Sequence, residues 1–80
     1  MRLDKYLAVS RIIKRRTVSN NACDTSRVSV NGRVVKASYD VKIGDVIEVT
    51  FGERTLKVRV TDIKEHTQKK EASELYEIIS

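Results

Sequence analysis

The 80-residue chain has no tryptophan and no proline, and it has one phenylalanine, one histidine and one cysteine. Each shortage narrows what it can do. A lone cysteine, Cys23, cannot close an internal disulfide and has no second thiol for a Cys-x-x-Cys metal or redox pair. It agrees with a reducing compartment. No run approaches the roughly 18 apolar residues of a membrane span, and the opening MRLDKYL puts charges where a secretory signal carries its apolar segment. We therefore expect a cytoplasmic protein that does not enter a membrane. The three glycines stand singly at turns, which leaves no phosphate-binding glycine loop. His66 lies in a polar connection among Glu65, Thr67 and Lys69 and reads as a solvated residue. Cys23 falls on the inward stripe of a helix, where a thiol packs as a small hydrophobe. Asp40 with Asp45, and Glu71 with Glu74, read as turn and helix-surface residues. With no nucleophile, base and orienting group that can meet, we expect no enzyme, no metal and no cofactor. Without linkers, repeats or low-complexity tracts, residues 1–80 read as one domain, with a core over about 2–63 and a tail over 64–80.

What is present is positive charge, unevenly spread. The net charge is +5. Residues 1–42 hold ten Lys and Arg against three Asp and Glu, whereas residues 43–80 hold six against eight. A basic run is often a solvated face. Segregation of this kind favours a polyanionic partner, because clustered cations concentrate potential at one place.

Leu3, Tyr6 and Leu7 recur at helical spacing and predict an amphipathic helix from about Leu3 to Val9, with Asp4 suited to the positive end of its dipole. Arg11 to Lys14 form a turn. A second helix runs from about Arg15 to Asp24 with Val18, Ala22 and Cys23 inward, and tertiary packing must hold it because Asn20 and Asn21 prefer caps and turns. Val28-Ser29-Val30 reads as a strand and Asn31-Gly32 as a type I′ hairpin turn returning through Arg33 to Val35. Lys36 to Val41 is an irregular link, and Lys42 to Asp45 a turn. The strand Val46–Phe51 puts Ile47, Val49 and Phe51 on one face. It turns at Gly52-Glu53 and pairs with Thr55–Ile63, whose Leu56, Val58 and Val60 face the core. Lys69 to Leu75 form a helical turn, and Tyr76, Ile78 and Ile79 dock as a last extended segment.

The candidate site residues are mostly cations. Arg2 precedes the first helix and Lys5 lies in it, Arg11, Lys14, Arg15 and Arg16 follow its end, and Arg27 precedes the first strand. Lys14 to Arg16 also suit a solvated turn, but with Arg2 and Lys5 near they can share one groove. Charge-assisted hydrogen bonds to phosphate contribute roughly 1.5–3 kcal/mol each, and backbone N–H groups at the second helix start add to the attraction. With Tyr6 and Phe51 expected in the core, few rings remain to stack single-stranded bases. Recognition of a structured RNA by shape and backbone fits better.

These residues resemble the S4 domain, the α-L RNA-binding motif, an α+β fold of two N-terminal helices on a small, mainly antiparallel sheet. The resemblance rests on Arg2-Leu3-Asp4-Lys5-Tyr6-Leu7, on Lys14-Arg15-Arg16, on Arg27-Val28-Ser29-Val30-Asn31-Gly32 and on the turn Lys42-Ile43-Gly44-Asp45, four separated pieces in order over about residues 2–50. Ser26 departs from the glycine that commonly closes the second helix. The stretch A-V-S-R-I-I-K-R-R-T is similar to the free-standing bacterial RqcP (YabO) group and to the related fifteen-kilodalton heat-shock proteins. That likeness implies binding to the rRNA of a large ribosomal subunit still carrying peptidyl-tRNA after a stalled ribosome has split. It also implies support for C-terminal tailing by a NEMF-type factor. We expect the chain to be a monomer. It points to Arg2 and Arg16 for rRNA backbone contacts, with Lys5, Lys14 and Arg15 beside them. Asp4 would orient an arginine, and Asn31, Gly32 and Lys36 would form a second wall. The alternatives are a ribosome-assembly or heat-shock factor on structured rRNA, a protein-interaction adaptor with an acidic partner, and an RNA-modifying enzyme whose active site the residues do not supply.

Overall fold

The computed structural model describes residues 1–15, 18, 21–23, 25 and 27–79. Helix α1, Leu3–Val9, is followed by β1 (Val28–Val30), β2 (Arg33–Val34), β3 (Val46–Phe51) and β4 (Arg54–Val60). A helical turn, Lys69–Ala72, then tightens into a 3-10 turn over Ser73–Leu75 and leads into β5, Tyr76–Ile78. Residues 18 and 21–23 are also helical. The five strands form one antiparallel sheet in the order β2-β1-β3-β4-β5.

Both hairpins follow from their turn residues. Val30 pairs with Arg33 across Asn31 and Gly32, whose φ values of 53° and 82° are the two positive values a type I′ turn needs. Phe51 pairs with Arg54 across Gly52-Glu53. Helix α1 buries Leu3, Tyr6 and Leu7 against Val28, Val30, Ile47, Val49, Val58 and Val60 of the sheet, in a core that also takes in Ile13, Cys23, Ala37 and Val41.

The first N–H groups of a helix have no partner within it, and here the link between β2 and β3 supplies two of them. The Leu3 N–H donates to the Tyr39 carbonyl at 2.8 Å and the Asp4 N–H to the Ala37 carbonyl at 3.2 Å. The Lys5 N–H donates to the Asp4 carboxylate at 2.8 Å. The irregular stretch over residues 36–41 therefore fixes the start of α1.

At its other end α1 closes through Arg11, whose N–H donates to the Ala8 carbonyl at 3.1 Å with φ at 60°. Glycine usually fills such a left-handed position, since a side chain there costs roughly 1–2 kcal/mol. Replacing Arg11 with glycine is expected to raise stability by about 1 kcal/mol, read as a melting temperature higher by about 4–8 °C.

Several side chains depart from the pattern read along the chain. Val18 is 52% exposed while Cys23 is buried. Of the stripe expected to face inward, Cys23 is in the core and Val18 is turned to solvent. Phe51 is 44% exposed because β1 pairs with β3 only up to Val28 opposite Val49, and the β3–β4 hairpin projects beyond it. Ile78 and Ile79 are exposed as well, since β5 is the sheet's outer strand and its last residues pass the core's edge. Residues 64–79, read from the sequence as a tail, bring Leu75 into the core with no exposed surface. Arg16, Asp24 and Ser26 lie outside the described residues. Beyond the described helical residues, the Arg27 N–H donates to the Ala22 carbonyl at 3.0 Å.

Candidate nucleic-acid interface

Arg2 stands at the start of α1 with its side chain half exposed, and the Asp4 carboxylate behind it is buried. Arg2 Nε donates to Asp4 Oδ1 at 3.2 Å and Nη2 to Oδ2 at 3.4 Å. A two-point pairing sets a guanidinium's direction as well as its position. Asp4 thus holds Arg2 instead of presenting a charge of its own, since it is only 2% exposed. Ordering a long side chain on binding costs roughly 0.5–1.5 kcal/mol. Asp4→Asn, which keeps the shape and removes the charge, is expected to weaken RNA binding about two- to tenfold, measured by filter binding against a thermal melt of the same sample.

Arg2 is bridged through its backbone to Asp40, so it adjoins the 36–41 link that carries the exposed Lys36. The same link meets the β1–β2 turn. Asp45, nearly buried, accepts from Asn31 Nδ2 at 3.1 Å, from the Tyr39 hydroxyl at 3.0 Å and from the Lys42 N–H at 3.0 Å. Asn31 Oδ1 in turn accepts from the Val46 N–H at 3.0 Å. Partial burial pushes the Tyr39 hydroxyl above the usual tyrosine range, helped by its bond to Asp45 and by the charges of Asp45 and Asp40, so it stays protonated as a donor at neutral pH. The Asn31 amide is therefore engaged within the fold, and Gly32 supplies an open backbone with nothing within 4 Å of where a Cβ would stand. A groove of about 440 Å³ runs here, lined by Val30, Asn31, Arg33, Val35 and Tyr39. Arg33 enters this wall from the fold, not from any motif. Its signal in the sequence was only its place beside the Asn31-Gly32 turn.

Lys5 is committed elsewhere, to an ion pair with Glu65. The hydrogen bond from Lys5 and its charge hold the Glu65 carboxyl below the usual range. That pairing is complete above the ordinary carboxylate range and is lost as pH falls through the depressed value. Arg11, Lys14 and Arg15 are exposed beyond the opposite end of α1, about 10 Å along its axis from Arg2. Arg11 and Lys14 line a second groove with Ser10, Ala72, Ser73 and Tyr76. Arg27 is exposed before β1. Arg16, with the backbone donors expected beside it at the second helix start, lies outside the described residues. Cys23 is buried in the core and His66 is exposed.

Arg2 and the cations Arg11, Lys14 and Arg15 thus stand at the two ends of one short helix, and the grooves described do not unite them as the sequence suggested. The arrangement coincides with a family signature, since residues 1–47 match the model of the S4 domain. The chain is a member of the S4 family. Among full-length relatives of this S4 protein, the "RQC P-site tRNA stabilizing factor" of Streptococcus pneumoniae is 52% identical, covering 100% of this chain and 91% of its own. The factor of the same name from Bacillus subtilis is 49% identical over 99% of this chain and 92% of its own. The solved structure of Vibrio cholerae heat shock protein 15, described as trimeric, matches with a TM-score of 0.93 at 30% identity, covering 100% of this chain and 82% of that one. The S4 match ends inside β3, while the identity to the two factors runs on through β4 and β5.

Proposed function

We propose that this S4 protein, a single domain over residues 1–80, is a non-catalytic RNA-binding factor of ribosome-associated quality control. It holds peptidyl-tRNA on a large ribosomal subunit left by a stalled, split ribosome and contacts that subunit's rRNA. One observation carries the RNA-binding reading: a buried carboxylate, Asp4, aims the half-exposed guanidinium of Arg2 beside the link that also bears Lys36. An arginine positioned before it meets its phosphate loses little freedom on binding. The near full-length likeness to two proteins named for stabilising P-site tRNA directs the reading to that tRNA and its subunit. The protein works in the cytoplasm as a monomer, beside a NEMF-type tailing factor on the same subunit. Arg2, Arg16, Lys14 and Arg15 carry the phosphate contacts, with Arg11, Arg27 and Lys36 at their margins. Lys5 joins them only by leaving Glu65. Asp4 and Asn31 position these contacts, and Gly32 lets the hairpin backbone come close.

The experiment is binding of the purified protein to purified large subunits bearing peptidyl-tRNA. Arg16→Ala is expected to weaken it about tenfold, the loss of one charge-assisted contact, with an unchanged melting temperature. An equal fall in stability would make Arg16 a structural residue and withdraw it from the interface. Cosedimentation with immature particles instead of peptidyl-tRNA-bearing subunits would favour the assembly-factor reading.

A further inference from the structure

Between the far end of α1 and the C-terminal segment lies a groove of about 450 Å³, lined by Ser10, Arg11, Lys14, Ala72, Ser73 and Tyr76. Its size falls within the range of small-ligand sites, roughly 300–1,000 Å³. The lining has a distinct make-up. Arg11 and Lys14 are exposed, and neither takes part in an ion pair among the described residues. Tyr76 offers a half-buried aromatic ring held in β5 opposite Val60. The Ser10 hydroxyl is already given to the Leu7 carbonyl at 3.2 Å, so the groove wall asks for no polar partner there. Arg11 also keeps a side chain in a left-handed conformation, φ 60°, that glycine would adopt with less strain.

We propose that this groove receives one unpaired nucleotide, its phosphate between Arg11 and Lys14 and its base against the Tyr76 ring. The inference rests on the RNA-binding function proposed above and adds to it a second mode of recognition. At Arg2 the protein meets a backbone; at this groove it takes hold of a single base. A bare phosphate would leave the ring and most of the space unused, and an acidic peptide without aromatic residues has no ring to stack on it. One ring serves one base, so the groove reads an extruded or looped nucleotide, not a single-stranded track.

The test is an NMR titration of the isotope-labelled full chain with adenosine monophosphate, and in parallel with inorganic phosphate and with an oligoglutamate peptide. Saturable shifts at Arg11, Lys14, Ser73 and Tyr76 with the nucleotide, lost in Arg11→Gly and Tyr76→Leu, are expected. Phosphate alone should leave the Tyr76 ring protons unmoved. Equal shifts at Tyr76 from phosphate or from the peptide would overturn the proposal, as would no shift from the nucleotide. Arg11→Gly should also weaken subunit binding about tenfold while melting higher than the parent chain, which separates a lost contact from a lost fold. Unchanged subunit binding in both variants would overturn the nucleotide grip and leave the wider function standing. A parent chain that shifts at Tyr76 with the nucleotide yet fails to bind subunits would overturn the wider function and keep the groove.

Discussion

Between 50 and 200 mM salt, affinity for large ribosomal subunits is expected to fall by on the order of 10³ if about six phosphates are engaged. The count comes from Arg2, Lys5, Arg11, Lys14, Arg15 and Arg16, each displacing condensed counterions from the RNA when it takes a phosphate. The structure refines it. Lys5 is paired with Glu65, so using it means breaking one ion pair to make another, which weakens its share of the salt slope. With five contacts the same relation gives a fall of about 500-fold. Lys5→Ala should therefore flatten the slope less than Lys14→Ala does. Equilibrium binding at four or five salt concentrations measures both, and a flat titration of the parent chain would remove the electrostatic basis of the proposed function.

What the sequence made legible is what local chemistry dictates. Asn31-Gly32 was readable as a type I′ turn because few other residues accept positive φ twice in succession. The alternation of Ile47 and Val49, answered by Val58 and Val60, was readable because a strand's period needs no knowledge of the rest of the chain. That Arg2, Arg11, Lys14 and Arg15 would be exposed was readable from their charge. What escaped depends on distant partners. Nothing near Asn31 announces that its amide will bond to Asp45, 14 residues on, and so be engaged within the hairpin. Phe51 continues a buried alternation yet is exposed, because the length of β1 and not the pattern of β3 decides where cover ends. Tyr76 was expected only to dock, and its place in the lining of a groove with Arg11 and Lys14 requires segments more than 60 residues apart to meet. The pairing of Arg2 with Asp4 lies between these extremes, since the residues are two apart but the burial that makes Asp4 an effective anchor comes from the tertiary fold.

Leu75→Ala is expected to destabilise the domain by about 2–5 kcal/mol, the range for emptying a closed site in a packed core. A chain of this length has a total stability of only about 4–12 kcal/mol, so the variant should be largely unfolded at moderate denaturant concentrations where the parent is native. The large effect comes from where Leu75 sits. Its side chain has no exposed surface, and its carbonyl accepts from the Tyr6 hydroxyl at 2.8 Å, from the Thr61 N–H at 2.9 Å and from the Asp62 N–H at 3.1 Å. Thr67 adds a bond from its hydroxyl to the Val9 carbonyl at 2.7 Å, so the C-terminal segment is fastened to both ends of the core. Burial pushes the Tyr6 hydroxyl far above its usual range, with Tyr76 and Asp62 adding to the rise, which keeps it a donor at any working pH. Tyr6→Phe removes that donor without opening a cavity and leaves the carbonyl its two N–H partners. It should cost about 1 kcal/mol, several-fold less than Leu75→Ala. Guanidinium unfolding of the two variants side by side tests whether packing or hydrogen bonding fastens this segment. A loss below 1 kcal/mol for Leu75→Ala would mean that residues 64–79 add little to the fold's stability and that the groove between Arg11 and Tyr76 has no rigid far wall.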